Sequence, residues 1–294
     1  MTRTIGVDIG GTRTRVAAVA TGRILARRVF QTRGVEDVET AIRGILVETG
    51  WGKPTAIGVG APAPLDMRSG QILSCPNLPG WNNVEVREEL QRAFGCPVYL
   101  ANDATCAAIG ELAFGVRSRD FLYITWSTGI GGGIVAGGQV VWGATGGAGE
   151  IGHIVLQPGG PPCACGKNGC LEALAGGASL ARLGTEALGA PLSARDLVVH
   201  AQRENPVAGK LVLDACRAFG QGIAIVWEIL EPGLIVLGGG LTGSWAFLGP
   251  QVLAAAHGMV RERPRVELTQ LGDDAGLLGA ASLSAYTPAE WHSP

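Results

Sequence analysis

The sequence predicts an α/β protein made of two similar domains, and three observations lead there. A short apolar run that ends in glycines and is followed by two more strand-like segments occurs twice, at residues 4–30 and again near 121–142. Strand-like runs alternate with segments of helical spacing along the rest of the first half. The 47 glycines exceed the usual share and cluster without a fixed period, which points to backbone packed against ligand and away from collagen or linker. Two copies of one motif imply two domains facing each other across a cleft, each offering a glycine turn.

In chain order, residues 4–9 form the first apolar run, which leads into Asp8-Ile9-Gly10-Gly11-Thr12. Residues 16–20 and 24–30 read as the next two strands, with Thr21-Gly22 as the turn between them. A glycine pair at a hairpin tip exposes backbone N–H groups that can hold phosphate, beside the Thr12 hydroxyl. Asp8 at the strand end can hold magnesium through water. Such hairpins also occur as plain turns. Residues 36–48 have helical spacing, 56–61 a strand, and 84–94 a second helix. The loop 77–81 carries Asn77 and Trp81, suited either to a hydroxylated ligand or to a turn.

Residues 97–101 read as a strand that ends at Asn102-Asp103, with a helix from Ala104 to Leu112. Asp103 then has two uses. It can cap the helix, which this segment alone favours. It can also act as a general base at the carboxyl end of a strand, where open α/β sheets place ligands. Residues 121–126 begin the second copy, with residues 127–133 as its turn and strands at 134–136 and 139–141. Residues 175–230 read as mostly helical, interrupted at Pro191 and Pro206. A buried strand at 234–237 runs into Gly238-Gly239-Gly240, where a flat ring can lie against backbone. Residues 266–268 form a late strand, and a last helix follows Asp274, read as its cap.

The most informative stretch is 146–172. His153, Cys163, Cys165 and Cys170 supply the one imidazole and three thiolates that a tetrahedral zinc takes. Gly166 and Gly169 let the backbone turn between them. Disulfides are the other use of these cysteines, but Cys163 and Cys165 are separated by one residue and would make a strained pair. Four protein ligands leave no place for a metal-bound water, so the zinc is expected to be structural. Glu150 and Glu172 flank it and suggest a polar pocket.

Composition narrows the class. A net charge of −2 gives no field for nucleic acid or an acidic membrane. Residues 121–149 lack charge, but their glycines and polar residues argue against a membrane span. No basic and apolar leader opens the sequence, and Cys75, Cys96, Cys106 and Cys216 read as free thiols of unassigned role, so a reducing, cytoplasmic setting is expected.

Taken together, Asp8-Ile9-Gly10-Gly11-Thr12, Asn102-Asp103, residues 127–133, Gly149-Glu150-Ile151-Gly152-His153, the segment from Cys163 to Glu172, and Leu237-Gly238-Gly239-Gly240 resemble the ROK family of repressors and sugar kinases over almost the whole chain. The zinc segment is the most specific part of the match. The glycine motifs are common to actin-like ATPases.

The resemblance implies an actin-like, ribonuclease-H-like ATPase fold with two similar domains around a cleft and a small zinc-binding segment. The first domain would span residues 1–115, completed by a helix at 275–290. The second would span 116–274, with the zinc segment at 150–172. It implies ATP with magnesium and phosphoryl transfer to a hexose, most like glucose, with N-acetylmannosamine, N-acetylglucosamine and fructose as alternatives. Asp8, Gly10, Gly11, Thr12, Arg13, Thr128 and Gly129 would hold phosphates, and Gly238, Gly239 and Gly240 would face adenosine. Asn77, Asn102, Asp103, Glu150, His153 and Glu172 would contact sugar, with Asp103 the base. Arg13 stands where many members carry lysine, and the two cations bind phosphate with different geometry. A homodimer or homotetramer is expected. The repressors of the family carry a DNA-binding domain ahead of the first hairpin, for which this sequence is expected to leave no room.

Overall fold

The computed structural model describes residues 2–62, 64–73, 78 and 80–291. In chain order the elements are β1 (Arg3–Ile9), β2 (Arg13–Ala20), β3 (Arg23–Gln31), α1 (Val35–Thr49), β4 (Ala56–Ala61), β5 (Leu65–Asp66), β6 (Gln71–Ile72), α2 (Val86–Phe94), β7 (Val98–Asn102) and α3 (Asp103–Phe114). They continue with β8 (Phe121–Trp126), β9 (Ile130–Ala136), β10 (Gln139–Val141), α4 (Leu171–Ala175), α5 (Gly177–Leu188), α6 (Ala194–Gln202) and α7 (Pro206–Leu230). The last are β11 (Leu234–Gly238), α8 (Trp245–His257), β12 (Val266–Leu268) and α9 (Ala275–Tyr286).

Ten of the strands form two five-stranded sheets of one topology, and β5 pairs with β6 alone. The first has the order β3-β2-β1-β4-β7, the second β10-β9-β8-β11-β12. In the first, β1, β2 and β3 are an antiparallel meander, and β4 and β7 join in parallel. In the second, β11 lies parallel to β8, and β12 parallel to β11. The duplication read from the sequence is thus a duplication of sheets. The chain forms two compact units: Met1–Arg119 with Gly133–Ala148 and Thr269–Pro294, and Asp120–Gly132 with Gly149–Leu268.

In the first unit, β1, β4 and β7 are covered on both faces, which is why they read as continuous apolar runs with no alternation. One face packs Val7, Val59 and Leu100 with Val38, Ile42 and Ile45 of α1. On the other lies α9, whose Leu277 and Ala281 meet Ala17 and Val19. The approach of α9 is very close. A Cβ at Gly58 would lie 1.8 Å from the Ala280 carbonyl oxygen, and one at Gly279 would lie 1.6 Å from that of Cys106 in α3. Only hydrogen fits at either position.

In the second unit, Trp126 at the end of β8 stacks on Phe219 of α7, with centroids 4.1 Å apart, and its Nε1 donates to the Ala175 carbonyl at 2.8 Å. Among the described residues no helix is long and apolar enough to cross a membrane.

Residues 203–205 break the helical stretch as read, and Pro206 then begins α7 at a position where a missing N–H costs nothing, with the Asn205 side chain as cap. Three local readings are corrected. Gly131, Gly132 and Gly133 belong to β9 and not to the turn before it. Gly133 is glycine because a Cβ would lie 2.6 Å from that of Ala108. Asp274 makes no cap bond and instead accepts from Arg27 at 2.5 Å. Trp81 is 1% exposed and sits in the core cluster with Leu78, so its ring is packing and not a ligand face.

Candidate functional site

The β1–β2 hairpin is held from below and leaves two donors at its tip. Gly10 N–H donates to the Arg13 carbonyl at 3.0 Å, and Thr32 anchors the turn through its hydroxyl to the Gly10 carbonyl (2.7 Å) and its N–H to that of Thr12 (3.1 Å). The N–H groups of Gly11 and Thr12 bond to nothing among the described residues, and both residues are exposed. Two adjacent unpaired amides on a fixed turn are a ready anion cradle.

Asp8 lies one strand register away, opposite Arg15. Its Oδ2 accepts from Arg15 Nε at 2.8 Å and from Nη2 as well, while Nη1 donates to the Asp273 carbonyl at 2.5 Å. Sequence reasoning singled out Arg13, which is exposed, and missed Arg15. Strand periodicity carried the signal: Asp8 and Arg15 pair across a two-stranded antiparallel hairpin.

The second copy repeats the design. Ser127 N–H closes the turn onto the Gly129 carbonyl at 3.0 Å. The first N–H groups of α5 bind its other two carbonyls, Gly177 to Ser127 at 2.8 Å and Ala178 to Thr128 at 2.9 Å. Ile130 N–H donates to Glu172 Oε2 at 2.8 Å. The N–H groups of Thr128 and Gly129 again have no partner among the described residues, and Thr128 is exposed.

Asn102 and Asp103 share the junction of β7 and α3. Asn102 is the cap: its Oδ1 accepts from Ala104 N–H at 2.8 Å and Thr105 N–H at 3.4 Å. Asp103 is the first residue of the helix, with Oδ1 2.7 Å from Ala104 N–H. The capping use weighed for Asp103 therefore falls to its neighbour. Asn77 lies outside the described residues, as does Cys75.

His153, Cys163, Cys165 and Cys170 do converge, with their ligand atoms all within 4.8 Å of one another. Cys165 Sγ lies 3.6 Å from Cys170 Sγ, and Cys163 Sγ lies 3.6 Å from His153 Nδ1. The sulfur–sulfur separation is far beyond a disulfide bond of about 2.0 Å. It suits a tetrahedron of about 2.3 Å metal–sulfur bonds, whose sulfurs stand about 3.8 Å apart. Without a cation, burial and the two neighbouring thiols push Cys170 up to about 12. Gly169 is required twice over, by a φ of +75° and by a Cβ position 1.6 Å from the Gln157 carbonyl.

The two ring nitrogens of His153 face different groups. Nδ1 faces the thiols, while Nε2 lies 3.8 Å from Glu150 Oε2. Burial raises the Glu150 carboxyl above its ordinary value, Glu172 adds to the rise, and His153 opposes it. Glu172 lies in α4, two residues past Cys170.

The three glycines after β11 divide by cause. A Cβ at Gly238 would lie 2.0 Å from the Tyr123 hydroxyl, and one at Gly239 would lie 2.6 Å from the Trp126 carbonyl. These two are glycines because of packing. At Gly240 the nearest atom is 3.9 Å away, so a side chain at this exposed residue would meet open space.

Two sheets of one topology, each with a strand–turn–strand whose tip leaves two amides unpaired, define the actin-like, ribonuclease-H-like class of fold. A ROK family model matches residues 4–286, and the chain belongs to the ROK family. A ROK hexokinase from Thermus thermophilus is 40% identical with a TM-score of 0.85, over 95% of this chain and 96% of that one. A ROK glucokinase from Streptomyces griseus, solved with glucose and AMPPNP, is 31% identical with a TM-score of 0.79, over 96% and 98%. A glucokinase of Thermotoga maritima is 33% identical over 95% of this chain and 96% of its own length.

Proposed function

We propose that this protein is an ATP-dependent hexose kinase that transfers the γ-phosphoryl group to the 6-hydroxyl of glucose. The observation that carries the reading is its end-to-end similarity to the Streptomyces griseus enzyme solved with glucose and an ATP analogue. The site chemistry supports it. Phosphoryl transfer needs positioning and charge neutralisation more than covalent help, so backbone cradles and one carboxylate suffice.

In this reading the amides of Gly11, Thr12, Thr128 and Gly129 bind phosphate oxygens, Arg13 adds positive charge, and Gly238 to Gly240 border the adenosine. Asp103 accepts the proton of the attacking hydroxyl. Asn77, Asn102, Glu150, His153 and Glu172 hydrogen-bond the other sugar hydroxyls, the acids and amides each able to engage two. Magnesium, held near Asp8 through water, would offset phosphate charge. Zinc on His153, Cys163, Cys165 and Cys170 would be structural, fixing the tautomer of His153 and the direction of its ring. Residues 1–115 with 275–290, and 116–274, would be the two functional lobes. A cytoplasmic homodimer or homotetramer completes the proposal, and light scattering checks its assembly.

The test is a coupled ADP-release assay across glucose, mannose, fructose, allose, N-acetylmannosamine and N-acetylglucosamine. Preference for glucose is expected. Preference for an N-acetylated sugar would move the protein to another kinase of the family, and no turnover with any sugar would remove the kinase reading.

A further inference from the structure

The metal segment and the second glycine turn meet at one carboxylate. Cys170 directly precedes α4, and Glu172, the second residue of that helix, accepts from Ile130 N–H through Oε2 at 2.8 Å. The start of α5, just beyond, holds the Ser127 and Thr128 carbonyls. Every other backbone group of the turn from Ser127 N–H to Ile130 N–H is thereby engaged, apart from the N–H groups of Thr128 and Gly129. Gly129 adds a steric lock: a Cβ there would lie 2.3 Å from Glu172 Oε2, so the carboxylate occupies the space that any other residue at 129 would need.

We propose that Glu172 is a positioning residue for the nucleotide. Its bond to Ile130 N–H fixes the turn so that the two remaining amides are preorganised for a phosphate, and nucleotide affinity depends on the metal segment even with no sugar bound. This rests on the reading that Thr128 and Gly129 hold phosphate. It goes beyond a sugar-contacting Glu172, whose loss would leave nucleotide binding without sugar unchanged. A preorganised donor pair needs no reordering when the anion arrives, which is why fixing the turn strengthens binding.

The experiment is calorimetric titration of ADP with magnesium into sugar-free protein, with zinc content and melting temperature measured on each sample. Glu172→Ala is expected to bind ADP about ten- to a hundredfold more weakly, the effect of losing one hydrogen bond to a charged group. Glu172→Gln keeps an oxygen acceptor for Ile130 N–H and is expected to restore affinity to within about threefold of wild type, the scale of a neutral hydrogen bond's variation. Gly129→Ala should weaken ADP binding as Glu172→Ala does, with all four metal ligands intact, and it carries the test if Glu172→Ala does not fold. Wild-type affinity in Glu172→Ala, or in Gly129→Ala should the first not fold, would overturn the proposal. Wild-type protein that binds no ADP would instead overturn the phosphate reading beneath it.

Discussion

Asn102 and Asp103 aim their Oδ1 atoms at the same donor, the N–H of Ala104, from 2.8 and 2.7 Å. Asn102 also reaches Thr105 N–H and so serves as the cap. Asp103, already inside α3, is not needed for that task. Asp103→Asn keeps shape and removes basicity. We expect glucose binding to persist and turnover to fall by about two to four orders of magnitude, the usual worth of a positioned base. Steady-state kinetics with a separate glucose titration checks this, and near-normal turnover would leave Asp103 a structural role only.

If His153 holds zinc through Nδ1 and sugar through Nε2, as proposed, metal loss should reach the sugar. Cys165 is exposed and shares the cluster with the His153 imidazole. Cys165→Ser should lose zinc by metal analysis, melt at lower temperature, and lose about ten- to a hundredfold in activity, as disturbed metal shells commonly do. A folded, zinc-free variant that binds glucose normally would leave His153 with the metal alone.

Arg15 should be a stability residue. Asp8 is 8% exposed, and Arg15→Leu leaves its carboxylate without its cation. Loss of one partner of a buried pair costs about 3–5 kcal/mol, and the 28% exposure of the Arg15 side chain puts this pair toward the lower end. Denaturant melts measure it. If Asp8 faces magnesium in the nucleotide complex, magnesium with ADP should restore more stability to the variant than to wild type.

Glu111 predicts a pH effect of known sign. It is fully buried, its Oε1 bonds the Thr269 hydroxyl, and Oε2 has no partner among the described residues. Burial raises its carboxyl above the ordinary range, with the Thr269 bond opposing. The folded protein therefore holds this proton more tightly than the unfolded chain. Its contribution is complete below about pH 4.3, the unfolded value, and is lost as pH rises through the folded value. The melting temperature of wild type minus that of Glu111→Gln, followed upward from pH 4, should fall over that window. A flat difference would show that Glu111 titrates alike in both states.

What the sequence made legible was whatever depends on local order. Strand runs, glycine turns and the spacing from His153 to Cys170 are set by neighbours along the chain, and the sheets and the His–Cys cluster follow them. What it hid depends on partners far away. Gly133 read as turn because nothing nearby reveals Ala108, and the packing that requires glycine at Gly238 and Gly239 comes from Tyr123 and the Trp126 carbonyl, distant in sequence. Arg15 was passed over since its worth lies in cross-strand register with Asp8. The bond from Glu172 to Ile130 joins two motifs that the residue order keeps apart.

The packing of α9 on β1 and β4 constrains synthesis on the ribosome. Gly6 and Gly58 of the first sheet lie against Leu277 and Ala280, residues translated after the whole of the second unit. The earliest strands must therefore wait, with one apolar face uncovered, while a complete sheet and five helices emerge behind them. Unit 2 is contiguous from Gly149 to Leu268 and can gather most of its core during that interval. The nascent chain's exposed period thus belongs to its oldest segment, the place where a chaperone would bind and where a truncated product would aggregate first.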